Sequence, residues 1–173
     1  MNTLFEELTG GFPDWAEFER AVIRLIAAML LGALIGVQRE FAGKPAGLRT
    51  HMLVAMGSAL FVLGASAAAM SLEGLSRVIQ GVATGLGFIG AGAILKHRDE
   101  RQVEGLTTAA GIWMTAAAGV AAGLGRIGLA ALGAILTLAI LAFAGFLDSR
   151  IAKARGASNH HVKRSEADSP SDK

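Results

Sequence analysis

Cysteine is absent from the 173 residues. That excludes disulfides, thiolate metal sites and cysteine nucleophiles. Charge is scarce: Asp, Glu, Lys and Arg together make up 17% of the chain, against ~25% in an ordinary soluble domain. Equally missing are a Ser/His/Asp arrangement, an HExxH, a Walker A loop and the Asp-Lys-Thr-Gly of cation pumps. Hydrolysis of ATP by this chain is therefore not expected. Apolar residues take the space that these leave. They account for 53% of the chain, glycine adds 23 residues, and the mean hydropathy is +0.50. The length allows one domain. A soluble domain this small leaves too much of its chain exposed to hide that much apolar surface. The composition is that of a membrane protein.

The 30 charged residues avoid five stretches, 25–38, 50–72, 78–95, 105–125 and 127–147, of 14, 23, 18, 21 and 21 residues. A helix needs ~20 apolar residues to cross a bilayer. Four stretches qualify directly. The first is extended outward by Ala21, Val22 and Ile23, with Arg24 snorkelling to the interface. The expected fold is all-α: a polytopic membrane bundle of five transmembrane helices, about 21–38, 50–72, 78–95, 105–125 and 127–147. Five spans separate 12 Lys and Arg on one side from 4 on the other. By the positive-inside rule the N-terminus is expected outside and the C-terminus in the cytoplasm. Glu6 and Glu7 make the chain open acidic, unlike a cleaved signal peptide.

Residues 1–20 read as a periplasmic or interfacial lead-in to the transmembrane domain, 21–147. Trp15, Phe18, Val22 and Leu25 share a helical face, and Pro13 suits a helix start near Asp14. The outer connections are short, at 73–77 and around Arg126, so helices 2–3 and 4–5 are expected as antiparallel hairpins. The polar cytoplasmic tail, 148–173, reads as disordered from about Ser158. Its His160-His161 pair is a weak metal site.

Lipid gives helices no hydrophobic reason to associate, so small residues four apart matter. They occur as Gly32 and Gly36 in the first span, and Gly81 and Gly85 in the third. The fourth has Thr107, Gly111, Thr115, Gly119 and Gly123, and the fifth Ala130 and Ala134. They predict close helix crossings, and a homo-oligomer is plausible on the same ground. The third span also holds Gly85, Gly87, Gly90 and Gly92. Its formal G-x-G-x-x-G lies inside an apolar span with no preceding strand, which argues against a nucleotide loop. Two readings remain for it: helix packing, or an irregular half-helix lining a polar conduit.

A hard cation prefers carboxylate ligands, and no Asp or Glu lies within spans 2–5. Backbone carbonyls could still line a filter, so a channel stays open as a reading. The densest polar motif is the first inner loop: Gln38, Arg39 and Glu40, then Lys44, Arg49, Thr50 and His51. Its plainest role is a basic rim on anionic headgroups. It could also bind a phosphate or a partner's acidic patch. No cofactor and no nucleic-acid partner is indicated.

The stretch from Leu31 through Gly36 to Gln38-Arg39-Glu40, then Pro45-Ala46-Gly47-Leu48-Arg49-Thr50-His51, resembles the MgtC/SapB membrane family. So do Gly85-Leu86-Gly87-Phe88-Ile89-Gly90-Ala91-Gly92, and Gly105-Leu106-Thr107-Thr108-Ala109-Ala110 continued by Trp113, Thr115 and Gly119. The likeness covers roughly residues 20–147. It implies a bacterial inner-membrane protein linked to growth at low magnesium and, in some pathogens, to survival in macrophages. It implies a regulator of other membrane machinery, with the rotary ATP synthase as a family target. Gln38 stands where the family commonly has Glu, within G-x-E-R-E. The ACT-like C-terminal domain of longer members has no counterpart in the short stretch after the fifth span.

The reading that follows is a non-enzymatic regulatory or binding module in adaptation to low magnesium or envelope stress. Its site would lie on the cytoplasmic face. Gln38, Arg39, Glu40, Lys44, Arg49, Thr50 and His51 form one side; Glu104, Thr107 and Thr108 form the other. The alternative is a magnesium or other cation transporter or channel using the glycine-rich third helix.

Overall fold

The computed structural model describes residues 14–96 and 103–167, with backbone alone for 95–96, 103, 148–149 and 151–167. Among the described residues five helices follow one another: α1 (Trp15–Phe41), α2 (Leu48–Ala67), α3 (Leu72–Gly92), α4 (Leu106–Gly123) and α5 (Ile127–Ala167). Between α3 and α4 lie the two-residue strands β1 (Leu95–Lys96) and β2 (Val103–Glu104). They pair antiparallel, with Leu95 opposite Glu104 and Lys96 opposite Val103. The all-helical class is as expected. The chain divides into two compact units, Met1–Thr137 and Leu138–Lys173, so the boundary falls within α5.

Local chemistry sets the helix ends. Asp14 caps α1, its side chain accepting from the Glu17 amide at 2.6 Å. Residues 1–13 of the lead-in, Pro13 included, lie outside the described residues, and 15–20 of it form the first turns of α1. α1 ends in a Schellman arrangement: the Lys44 amide donates to the Arg39 carbonyl and the Gly43 amide to that of Glu40. Gly43, at φ +63°, supplies the left-handed residue. α2 ends the same way, but with Ala69 at φ +50°.

Four segments are long and apolar enough to cross a membrane: α1, α2, α4 and Ile127–Leu147 of α5. The fifth expected span, α3, falls outside that measure of apolarity. The 21 residues of α3 are sufficient in length. Glu73, Arg77, Gln80 and a run of glycines dilute its hydropathy. The linker expected at 73–77 is also corrected. Glu73 and Arg77 belong to the first turns of α3, where they pair at 2.6 Å, and the connection is 68–71. Ser71 caps the helix by accepting from the Gly74 amide at 3.2 Å, and an acid in the first turn reinforces that start. At the other end of the chain, α5 continues to Ala167, so the stretch expected to be disordered from Ser158 has helical backbone. Ala, Arg, Lys and Glu are good helix formers, and no proline intervenes before Pro170.

The core is an alanine seam. Ala28 of α1, Ala55 and Ala59 of α2, Ala118 and Ala122 of α4, and Ala130 of α5 pack together and are buried. Glycine brings the backbones into contact. A Cβ at Gly32 would lie 2.5 Å from the His51 carbonyl oxygen, and one at Gly36 would lie 2.7 Å from Leu48 Cα. A Cβ at Gly119 would overlap the Ala55 carbonyl oxygen, and one at Gly123 would come within 2.8 Å of that of Ala59. Thr115, in the same stripe, is fully buried and donates to the Gly111 carbonyl at 2.8 Å. These contacts run α1 antiparallel to α2 and α2 parallel to α4.

The glycines of α3 differ. A Cβ at Gly81, Gly85, Gly87 or Gly92 would meet nothing within 4 Å, and one at Gly90 only Ala109 at an ordinary 3.6 Å. Within this chain they do not form the crossings expected of them. α3 is held instead through Leu86, which joins Ile112 and Ala116 of α4 in a second core cluster. Between α2 and α3 an open apolar groove of about 690 Å³ is lined by residues including Leu53, Gly57, Phe61, Gly81 and Gly85.

Candidate functional site

Three sequence motifs meet where α1 ends and α2 and α4 begin. The last turns of α1 carry Gln38, Arg39 and Glu40, the first turn of α2 carries Arg49, Thr50 and His51, and the first turn of α4 carries Thr107 and Thr108. Gly36 lets α2 approach so closely that its Cβ would lie 3.1 Å from that of His51. On the other side, a Cβ at Gly111 would be 3.6 Å from His51 Nε2. The imidazole is thus seated between α1 and α4.

The inner part of this meeting point is buried and polar. Arg39 is 3% exposed, His51 0% and Thr108 1%. Arg39 Nη2 donates to Thr108 Oγ1 at 2.9 Å, across 69 residues of sequence. His51 Nδ1 lies 3.0 Å from the Gly47 carbonyl oxygen. A carbonyl only accepts, so Nδ1 carries the proton and a neutral ring leaves Nε2 as a bare acceptor. Among the described residues three buried atoms have no hydrogen-bond partner: Gln38 Oε1, Arg39 Nε and His51 Nε2. Both ion pairs found among the described residues, Arg20–Asp14 and Arg77–Glu73, lie elsewhere. The Arg39 guanidinium therefore sits in the interior without a described carboxylate.

The outer part is a solvent-facing cleft of about 490 Å³, lined by Glu40, Lys44, Gly47, Leu48, Arg49 and Thr50. Lys44 and Arg49 are exposed and Thr50 half-buried. Glu40 has a structural task here. Helix α2 begins at Gly47, which has no side chain to cap it, and Glu40 Oε2 accepts from the Leu48 amide at 2.8 Å. The carboxylate meets the positive end of the α2 dipole. A Cβ at Gly47 would lie 2.6 Å from that oxygen, so the glycine makes room for the borrowed cap.

Not every expected residue joins. Thr107 and Glu104 are exposed, and among the described residues no polar contact ties either to Arg39 or His51. Glu104 sits in β2, held by the ladder with Leu95. Gly105 makes the turn into α4 possible. Its φ is +92°, and a Cβ there would overlap the Ala93 carbonyl oxygen. At the opposite end of the bundle Arg24 does more than snorkel: Nη1 donates to the Gly123 carbonyl at 3.2 Å, closing the C-terminus of α4. Among the described residues no group of three or more His, Asp or Glu could hold a metal. The side chains of His160 and His161 lie outside the described ones.

The MgtC family model matches residues 25–150. SrpB of Synechococcus elongatus is 50% identical over 158 residues, covering 84% of this chain and 81% of SrpB. YhiD of Escherichia coli K12 is 47% identical over 133 residues, 73% of this chain and 60% of YhiD. MgtC of Salmonella typhimurium is 46% identical over 105 residues, 61% of this chain and 44% of MgtC. The match thus spans less than two thirds of YhiD and under half of MgtC. No solved structure matches significantly.

Proposed function

The chain belongs to the MgtC family, and from that premise we propose that it is a regulatory or binding module of the bacterial inner membrane, serving adaptation to low magnesium or envelope stress. One relative carries the magnesium theme: YhiD, whose name assigns it provisionally to magnesium transport. The observation that carries the reading is the Arg39–Thr108 hydrogen bond. It joins the ends of distant motifs into one buried polar cluster, beside an accessible charged cleft, with no acid–base pair arranged for catalysis. In this proposal α3 also spans the membrane, the N-terminus is outside, and the cleft and tail face the cytoplasm, where the Lys and Arg concentrate. The partner would be another membrane complex, the rotary ATP synthase being the one that the resemblance names. A second copy of the chain is the other partner considered.

Two measurements test this. In a strain lacking the chromosomal copy, Arg39→Gln and Thr108→Val variants that insert normally are expected to lose growth at low magnesium; full growth would remove the cluster from the function. Purified protein in liposomes loaded with a magnesium- or proton-sensitive dye is expected to give no flux. Reproducible protein-dependent flux would replace the regulator with a transporter.

A further inference from the structure

Helix α3 is inside out for a membrane bundle. Glu73, Arg77, Gln80, Thr84, Gly87 and Ala91 follow one another at spacings of four, three, four, three and four. That is the heptad rhythm, which keeps one stripe of a helix facing a partner helix. All six residues are exposed. Each residue advances about 100° around a helix, so Leu86, two past Thr84, lies on nearly the opposite side. That side is the one α3 turns to its own bundle: Leu86 and Gly90 are buried, Leu86 against Ile112 and Ala116 of α4. The heptad stripe therefore points outward.

In water such a stripe needs no cover. In lipid it does, because hydrocarbon offers a carboxamide no hydrogen bond, and polar side chains of spanning helices turn to a neighbouring helix or to water. Gln80 is the ninth and Thr84 the thirteenth of the 21 residues of α3, far from either end. Among the described residues neither makes a side-chain hydrogen bond. The chemistry of the stripe says what covers it. Glu73 and Arg77 carry opposite charges one turn apart and pair at 2.6 Å, so two copies meet there without net repulsion. A carboxamide both donates and accepts, so one Gln80 satisfies another. A Cβ at Gly87 would meet nothing within 4 Å, and Ala91 adds only a methyl, which leaves two backbones room to approach. The stripe complements itself, as a two-fold interface requires. We propose that two copies of this chain pair in the membrane through α3, side by side and parallel, with this stripe as the contact and Gln80 hydrogen-bonded across its centre. The pairing rests on the reading in which α3 spans the membrane, and gives the second-copy partner considered there its surface.

The absence of cysteine makes the test direct. Single cysteines are placed in the full chain in membranes, and an oxidant that partitions into lipid is added. Cross-linked dimer is expected for Thr84→Cys, Gly87→Cys and Ala91→Cys. Little is expected for Val82→Cys, Gly85→Cys and Ile89→Cys, which line the groove toward α2, or at the exposed Leu30 of α1 and Leu132 of α5. Yields that ignore the heptad, or peak on the groove side, overturn the proposal. So does reaction of the three stripe cysteines with a membrane-impermeant maleimide, which would make the stripe the wall of a water path. Energy transfer between labelled copies diluted in liposomes gives a second measure. Gln80→Leu, which suits lipid and spares the monomer, is expected to weaken association about tenfold, and Gln80→Asn to retain it; unchanged association of Gln80→Leu also overturns the proposal. Leu72→Cys and Gly92→Cys, labelled by the same maleimide from each face, separate the pairing from its premise. Labelling from opposite faces without a dimer removes the pairing and leaves the span. Labelling of both from one face removes the span and the pairing with it.

Discussion

Replacing Gly32 with alanine is the sharpest test of how this bundle is held together. The added Cβ would sit 2.5 Å from the His51 carbonyl oxygen and 2.9 Å from Ala55 Cβ. The blocking atom is backbone, so no rotamer change relieves it. Helix α2 must retreat by about 0.9 Å before the contact becomes ordinary, which begins at 3.4 Å. Overpacking a tight interior costs ~1–3 kcal/mol. Alanine returns ~0.5–1 kcal/mol through its better helix propensity. The net expectation is a loss of up to about 2.5 kcal/mol. Gly81→Ala is the internal control. It makes the same chemical change where nothing lies within 4 Å, so only the propensity gain remains and the variant should be neutral or up to ~1 kcal/mol more stable. Both are read by reversible unfolding of the detergent-solubilised protein. If Gly81→Ala destabilises as much as Gly32→Ala, the distinction drawn between the two glycine stripes is wrong, and Gly81 is in contact with something outside this chain.

Three further outcomes follow from named contacts. Thr108→Val leaves Arg39 Nη2 without its acceptor and should cost ~1–3 kcal/mol, while Thr108→Ser should retain most of the stability, measured by the same unfolding. Glu40→Ala removes the borrowed cap of α2 and should cost ~1 kcal/mol, with faster hydrogen exchange at the Leu48 amide and Glu40→Gln intermediate. Ala69→Gly should stabilise by ~1 kcal/mol, because a left-handed residue with a Cβ is strained at the end of α2; an unchanged or lowered Tm would refute this.

Much of the fold could be read from where the charges are not. Charge-free blocks marked the helices, and Asp14 announced the start of α1 three residues before the Glu17 amide that it accepts from. Boundaries failed where polar residues belonged to a helix turn. Glu73 and Arg77 look like a loop in sequence but pair one turn apart on α3. The glycines of α3 looked like those of α1 because spacing records which face a residue occupies, not what that face meets. The site was legible as a set of motifs and only partly as geometry. Four-residue spacing put Thr107, not Thr108, in the stripe of Gly111 and Thr115, but two helical turns span about seven residues, which aligns Thr108 with Thr115. Helix packing turns Thr108 inward and leaves Thr107 exposed. The capping of α2 by Glu40 was invisible, because a cap supplied by another helix leaves no local signature before Gly47.

The alanine seam bears on leakage. Where α1, α2 and α4 meet through Gly32, Gly119 and Gly123, backbone lies against Cβ and backbone, and Ala28, Ala55, Ala59 and Ala122 are wholly inaccessible. Such a seam has no bore, so a file of waters that could relay protons has no course along it. Arg39 and His51 consequently lie buried at one closed end of a dry seam. In a membrane, such packing lets the chain hold a charged, water-loving group inside its helices without opening a water path beside it.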